Sequence, residues 1–409
     1  MNKVHLTASR HVVEVMIAAW MGLPMTASAK EIKPTSDTQV LEKLAPRLSN
    51  SGNPALAANP QVRLAQAQEA IRLARQTSDP RHLGRAQVAL APWWDRSDAP
   101  VEAAVLQATV QQSRHEFAAA QRVLAGALTR EPKPGQASLS PGSQSSGSQS
   151  PAWQSQGWLT LANLERVTGR YSASLKACDQ VAAAGASLYA QACQLETRSM
   201  MGEHALARQG FTRLSLQFRD AQTQAWALSL LGESEERAGE DGAALNAYRR
   251  SLGLADDTYT ALALADLLLR TAQPGPALAV LRAQPNSDAV LIRRAYAGKL
   301  LKDPSWAALH LEVSERFAAL DRRGDEASLH ARERALAALW LEDDATKGFK
   351  WAQTNLKVQR EPADWWIAAT TARLLANKSG VNQDLDKLRQ TLNAQGLSDA
   401  RINTLVASK

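Results

Sequence analysis

The chain is poor in the raw material of most catalytic and cofactor sites. Its 409 residues include only two cysteines and seven histidines, too scattered to form a Cys/His metal cluster. The pair His115-Glu116 opens an apparent H-E-x-x-H, but the fifth place is Ala119, so the second zinc ligand is missing. Neither a phosphate-cradling Gly loop nor a G-x-S-x-G elbow occurs. No cofactor and no metal are expected. There is no run of five basic residues and no aromatic-basic motif of an RNA-binding sheet. Alternating strand patterns are nearly absent, and after residue 30 no apolar stretch is long enough to cross a bilayer. These gaps argue against a metalloenzyme, a nucleotide-binding fold, a nucleic-acid binder and an integral membrane protein.

What is present points to a folded helical body. Hydrophobic residues make up 45% and charged residues 21%, with 22 Gly and 17 Pro spread thinly as punctuation. A chain of this length exceeds a usual single core, so it either divides into domains or grows by adding repeats. The net charge of +7 does not concentrate in one patch, because Lys and Arg alternate with Asp and Glu along the helices. That pattern reads as solvated faces.

The first thirty residues have the layout of a secretory signal. Lys3, His5 and Arg10 form a basic start, Val15 to Met25 an eleven-residue apolar core, Pro24 a breaker, and Ala27-Ser28-Ala29 a small-x-small cleavage site. Cleavage is expected after Ala29, with a retained anchor as the alternative, since Glu14 sits at the edge of the apolar core. The expected location is the periplasm or the cell exterior, with no integral membrane segment after cleavage.

Beyond residue 60 apolar residues recur at three and four, the signature of helices. Breaks fall at Ser78-Asp79-Pro80, Ser97 to Pro100, Gly169-Arg170, Gly202-Glu203, Gly239 to Gly242, Pro274-Gly275-Pro276, Asp303-Pro304 and Glu361-Pro362. Each couples a helix stop to a cap or first-turn Pro of the next helix. The organisation expected is a signal at 1–29, a poorly structured segment at 30–59, and helical pairs at 60–134. A flexible Ser/Gly/Gln-rich insert follows at 135–154, then regular repeats at 155–291 and degenerate helical repeats with a cap at 292–409.

The helical pairs repeat. Leu228, Leu231 and Gly232 on one helix precede Ala244 and Tyr248 on the next. Trp158, Leu161 and Ala162 precede Tyr171, Ser174 and Cys178, and Ala261, Leu264, Ala265 and Leu268 precede Ala277 and Leu281. Weaker copies set Ala104 and Ala108 before Ala120 and Leu124, and Leu195 before Ala207 and Phe211. This W-x2-L-G-x2-Y…A-x3-F pattern resembles the tetratricopeptide repeat. The small residues are spaced 33 (Ser174 to Ala207), 37 (Ala207 to Ala244) and 33 (Ala244 to Ala277), around the roughly 34 of that family. From Ala120 to Ser174 the distance is 54, one repeat plus the insert. The resemblance implies an all-α fold, a right-handed α-solenoid of stacked antiparallel helix pairs, in which first helices line a concave groove for a protein or peptide partner.

On this register two sets of residues stand out. Tyr189, Trp226 and Tyr259 occupy equivalent first-helix positions, as do Asn163, Glu196, Glu233 and Asp266. An aromatic ladder beside an acidic and amide ladder suits an extended segment with apolar anchors and basic or amide groups; alternatively, the rings seal helix contacts and the acids are solvated. Cys178 and Cys193 lie either side of a turn near Gly185 and come level in an antiparallel pair. In an exported chain they read as a disulfide, with two buried thiols as the alternative. The function expected is an exported interaction scaffold in an envelope assembly or secretion process, not an enzyme. The alternatives are a helical-superhelix enzyme acting on cell-wall material and a regulatory module binding a peptide or small ligand.

Overall fold

The computed structural model describes residues 59–77, 79–130, 151–324 and 327–407. The expected signal at 1–29, the segment at 30–58 and most of the insert lie outside the described residues. Among the described residues there are nineteen α-helices and no strand. They are α1 (Pro60–Thr77), α2 (Arg81–Leu90), α3 (Val101–Ser113), α4 (Phe117–Leu128), α5 (Pro151–Val167), α6 (Tyr171–Ala183) and α7 (Ser187–Met200). Next come α8 (His204–Gln217), α9 (Ala221–Ala238), α10 (Asp241–Leu254), α11 (Thr258–Arg270), α12 (Pro274–Leu281), α13 (Asp288–Leu300) and α14 (Trp306–Arg323). After a 3-10 turn, Ala327–His330, the chain ends in α15 (Ala331–Trp340), α16 (Ala345–Leu356), α17 (Pro362–Ser379), α18 (Gln383–Gln395) and α19 (Ala400–Val406). No helix among the described residues is long and apolar enough to cross a membrane.

The helix ends carry local chemistry that explains them. Asp220, Asp257, Ser287 and Asp344 accept hydrogen bonds from backbone amides of the following first turns, satisfying donors that have no intrahelical partner. Glu361 and Asp364 form a reciprocal capping box around Pro362 at the start of α17. One boundary differs from the expectation: α5 begins at Pro151, so 151–154 belong to the helix. The reason is burial, because Trp153 is packed into the core and a first-turn Pro is tolerated.

Odd and even helices pair antiparallel, and each odd helix also touches the next odd helix through the α3 to α17 series, which is the layout of a solenoid. The repeating contact is visible in burial. Ala120, Ser174, Ala207, Ala244 and Ala277, each on an even helix, expose no surface, and neither do Leu124, Cys178, Phe211, Tyr248 and Leu281 four residues on. Positions four apart share a helix face. The small residue lets the partner helix approach and the large one fills the gap below it. In the fifth pair the approach is so close that a Cβ placed on Gly232 of α9 would lie 2.5 Å from Cε1 of Tyr248.

The array does not run straight. The C-terminal helices turn back onto the middle of the chain. The Arg360 amide, between α16 and α17, donates to the Val167 carbonyl at the end of α5, at 2.8 Å. Val358 packs against the core of the N-terminal repeats, while Tyr171 and Met200 belong to the same buried cluster as Trp365, Leu397 and Ile402. In the C-terminal repeats Arg334 is held between the rings of Phe317 and Trp351, 4.8 and 4.9 Å from their centroids, a cation–π arrangement. The two cysteines are joined: Cys178 on α6 and Cys193 on α7 form a disulfide with a Cα–Cα distance of 5.6 Å.

Candidate functional site

The return of the C-terminal helices sets the N-terminus of α17 toward one face of the odd helices α7, α9 and α11, which we term the inner face. Glu361 at that N-terminus acts electrostatically on Glu196, Glu233 and Tyr259. His115, in the turn between α3 and α4, faces Glu333, Arg332, His330 and Glu361, and burial pushes its imidazole below its usual value.

The ladder Asn163, Glu196, Glu233 and Asp266 runs up α5, α7, α9 and α11, but it is not an open acidic strip. Arg166 of α5 donates to Asn163 Oδ1 at 2.6 Å and reaches Glu196 Oε1 of α7 at 2.9 Å. Arg293 of α13 grips Asp266 with two 2.6 Å bonds, Nε and Nη2 to the two carboxylate oxygens. Arg237 of α9 donates to Ser199 Oγ of α7 and stands 3.5 Å from Glu233 Oε2. The Glu196 and Asp266 rungs therefore staple neighbouring odd helices with guanidinium contacts, and bidentate geometry makes the Asp266 rung the most specific of them. Glu233 instead pairs within α9, and it is Arg237 that reaches α7, through Ser199. The face presents alternating charge, not a row of bare carboxylates.

Glu233 is the loosest rung. Its carboxyl has a long Arg237 contact and a hydrogen bond with the Tyr259 hydroxyl, and its Oε1 is buried without a hydrogen-bond partner among the described residues. Burial, with Glu196 and Glu361 adding repulsion against the opposing pull of Arg237, raises its carboxyl to about 7. Glu196 is also raised, by burial first, against the attraction of Arg166 and Arg237. The inner face thus holds a carboxyl poised near neutrality.

The aromatic positions split. Tyr189 and Trp226 stack with centroids 5.9 Å apart, and Phe218, at the end of α8, completes the cluster at 5.5 and 6.2 Å. These two rings seal the α7–α9 seam, and burial raises the Tyr189 hydroxyl to about 12. Tyr259 is different. It is 55% exposed and stands beside Glu233, whose carboxylate, followed by burial, pushes the phenol well above its usual value. Of the seven positions, Tyr259 and Glu233 are the pair that keeps surface and an unfilled polar atom for something else.

The residues that complete the face were not read from the sequence. Arg166 lies three residues after Asn163, and Arg237 four after Glu233, spacings that put each Arg on the face of its ladder position; that spacing was the available signal. Arg332 was invisible, because its partners Asp364, Glu361 and Gln359 lie 27 to 32 residues away. Among the described residues no group of three or more His, Cys, Asp or Glu is placed to hold a metal ion.

No family model matches the sequence, and no curated protein matches it. Among solved structures the chain is similar to a Rap protein complexed with competence and sporulation factor, with a TM-score of 0.49, 10% identity and coverage of 84% of this chain and 88% of that one. It is also similar to the TPR domain of P58(IPK), with a TM-score of 0.19, 13% identity and coverage of 80% and 92%. By its own packing, with a small residue and a large one four positions later buried on the even helix of five consecutive pairs, the described part of the chain is an all-α solenoid of stacked helix pairs.

Proposed function

We propose that this chain is an exported scaffold that takes a segment of another protein on the inner face of its solenoid. The observation that carries the reading is the pair Tyr259 and Glu233: a half-exposed ring next to a carboxyl with an unpartnered oxygen, on a face otherwise closed by its own ion pairs. Such a pair suits a segment that lays an apolar group on the ring and a hydrogen-bond donor or cation on the carboxyl. The disulfide and the signal-like N-terminus support export, and an envelope assembly or secretion process is the setting in which such a scaffold would act. The test is affinity capture with the full chain, Tyr259→Ala and Glu233→Lys in parallel. Loss of the same retained protein from both variants, at unchanged melting temperature, supports the reading. Retention by both overturns it.

One observation favours a second reading. A buried carboxyl near 7 beside another acid is also what a general acid needs, as in a superhelical enzyme acting on cell-wall material. Cell-wall hydrolysis that disappears in Glu233→Gln would select it over the scaffold.

A further inference from the structure

The C-terminal segment 395–407 lies along the array as a ligand would. Three turns that each join an odd helix to its even partner carry glycines with positive φ: Gly169 at 80°, Gly202 at 97° and Gly239 at 83°. One residue of the segment sits on each. A Cβ on Gly169 would meet Gln395 Cδ at 2.7 Å, one on Gly202 would meet Ser398 Cβ at 3.2 Å, and one on Gly239 would meet Ala400 Cβ at 3.2 Å. The steps along the row of turns are three residues, Gln395 to Ser398, and two, Ser398 to Ala400, so the short link between α18 and α19 runs across the three turns in order.

Polar contacts hold it at each step. Gln395 Nε2 donates to the Tyr171 hydroxyl at 2.8 Å and to the Arg360 carbonyl at 3.2 Å. The Ser398 amide donates to the Met200 carbonyl at 2.7 Å, satisfying an acceptor at the end of α7. Arg401 donates to Glu236 Oε1 at 2.9 Å, a carboxylate that also takes Tyr248 and Arg270. That places a cation at the carboxyl end of α9, where the helix dipole favours it. Leu397, Ile402 and Val406 are buried in the cluster that contains Tyr171, Met200 and Trp365, and Arg373 of α17 donates to the Leu405 carbonyl at 2.7 Å. Helix α19 has seven residues, too few to persist undocked.

We propose that residues 395–407 are a releasable clasp: an intramolecular ligand of the turn row that ties α5, α7 and α9 to α17 and holds the solenoid closed on itself. The contact it guards is the Arg360 amide on the Val167 carbonyl, where the returning C-terminal helices meet the end of α5. The clasp stands whether or not the inner face takes a partner. Being short, with its apolar residues buried at a seam between elements, it is expected to open as a local unit before the body unfolds.

The test uses hydrogen exchange and solution scattering on three proteins: the full chain, the full chain with Ser398→Pro and Arg401→Ala, and a chain ending at Ala394. A releasable clasp predicts that the Arg360 amide loses roughly tenfold or more of its protection and the radius of gyration rises in both altered proteins. Amides of α6 and α10 should keep their protection. Unchanged Arg360 protection and radius in the double variant overturn the proposal, since the closure then needs no clasp. Equal loss of protection in every helix of the double variant also overturns it, since the segment is then part of the core; that variant decides the matter if the truncated chain does not fold.

Discussion

Glu233 makes the account quantitative. Its carboxyl is raised to about 7 from an ordinary 4.5, by burial first, and its side chain is only 14% exposed, so solvent screening removes little of the effect. The native state binds this proton more tightly than the unfolded chain does. The resulting stabilisation is complete below about pH 4.5 and is lost as pH rises through about 7. At about 1.4 kcal/mol per pH unit the difference is ~3 kcal/mol. Glu233→Gln keeps the shape and an oxygen facing Arg237 but cannot ionise. Urea unfolding of both proteins from pH 5 to 8.5 should give similar stabilities at the acid end, with the variant pulling ahead by up to ~3 kcal/mol at the alkaline end. Two curves that run parallel across this range would refute the burial of an unsatisfied carboxyl at this rung.

Four further expectations follow from the packing. Gly232→Ala puts a methyl against the Tyr248 ring and should cost about 1–3 kcal/mol in chemical denaturation; an unchanged midpoint would mean the two helices are further apart. Removing the disulfide with Cys178→Ser and Cys193→Ser should cost about 3 kcal/mol, and two reactive thiols in the unreduced, unfolded wild type would contradict the bridge. Arg166→Ala leaves the buried Glu196 without its strongest ion pair and should cost about 3–5 kcal/mol at pH 8, with partial recovery at acid pH as Glu196 takes up a proton. Trp226→Ala opens the seam between α7 and α9 and, as the ring is only partly buried, should cost about 1–3 kcal/mol, visible as a lower melting temperature.

Much of the fold was legible because it repeats. The A-x3-F spacing marks Ser174, Ala207, Ala244 and Ala277, and the same physical demand, a small residue where two helices touch, puts every one of them at zero exposure. Glycines and prolines at the turns fixed the helix boundaries for similar local reasons. The site was less legible. Equivalent positions in a repeat share a face but not an environment: Tyr189 and Trp226 have Phe218 to pack against, whereas Tyr259 is left half exposed. The acids looked alike in register, yet their arginines come from the preceding helix for Glu196, the same helix for Glu233 and the following one for Asp266. Only Cys178 and Cys193, fifteen residues apart across one turn, formed a long-range contact that spacing alone made readable. The return of α17 and the docking of 395–407 have no local signal, because Tyr171 and Gln395 are 224 residues apart and nothing in either stretch encodes the other.

The central claim is that the working surface is the inner face at Tyr259, and side-chain footprinting tests it most directly. Hydroxyl-radical labelling of the free chain should modify Tyr259 and leave Tyr248 untouched, given their exposures of 55% and 0%. With the captured partner bound, the account predicts that Tyr259 becomes protected while Leu216 on α8 and Leu254 on α10, both exposed on even helices, keep their labelling. Protection of Leu216 and Leu254 with Tyr259 unchanged would put the partner on the opposite face and contradict the account.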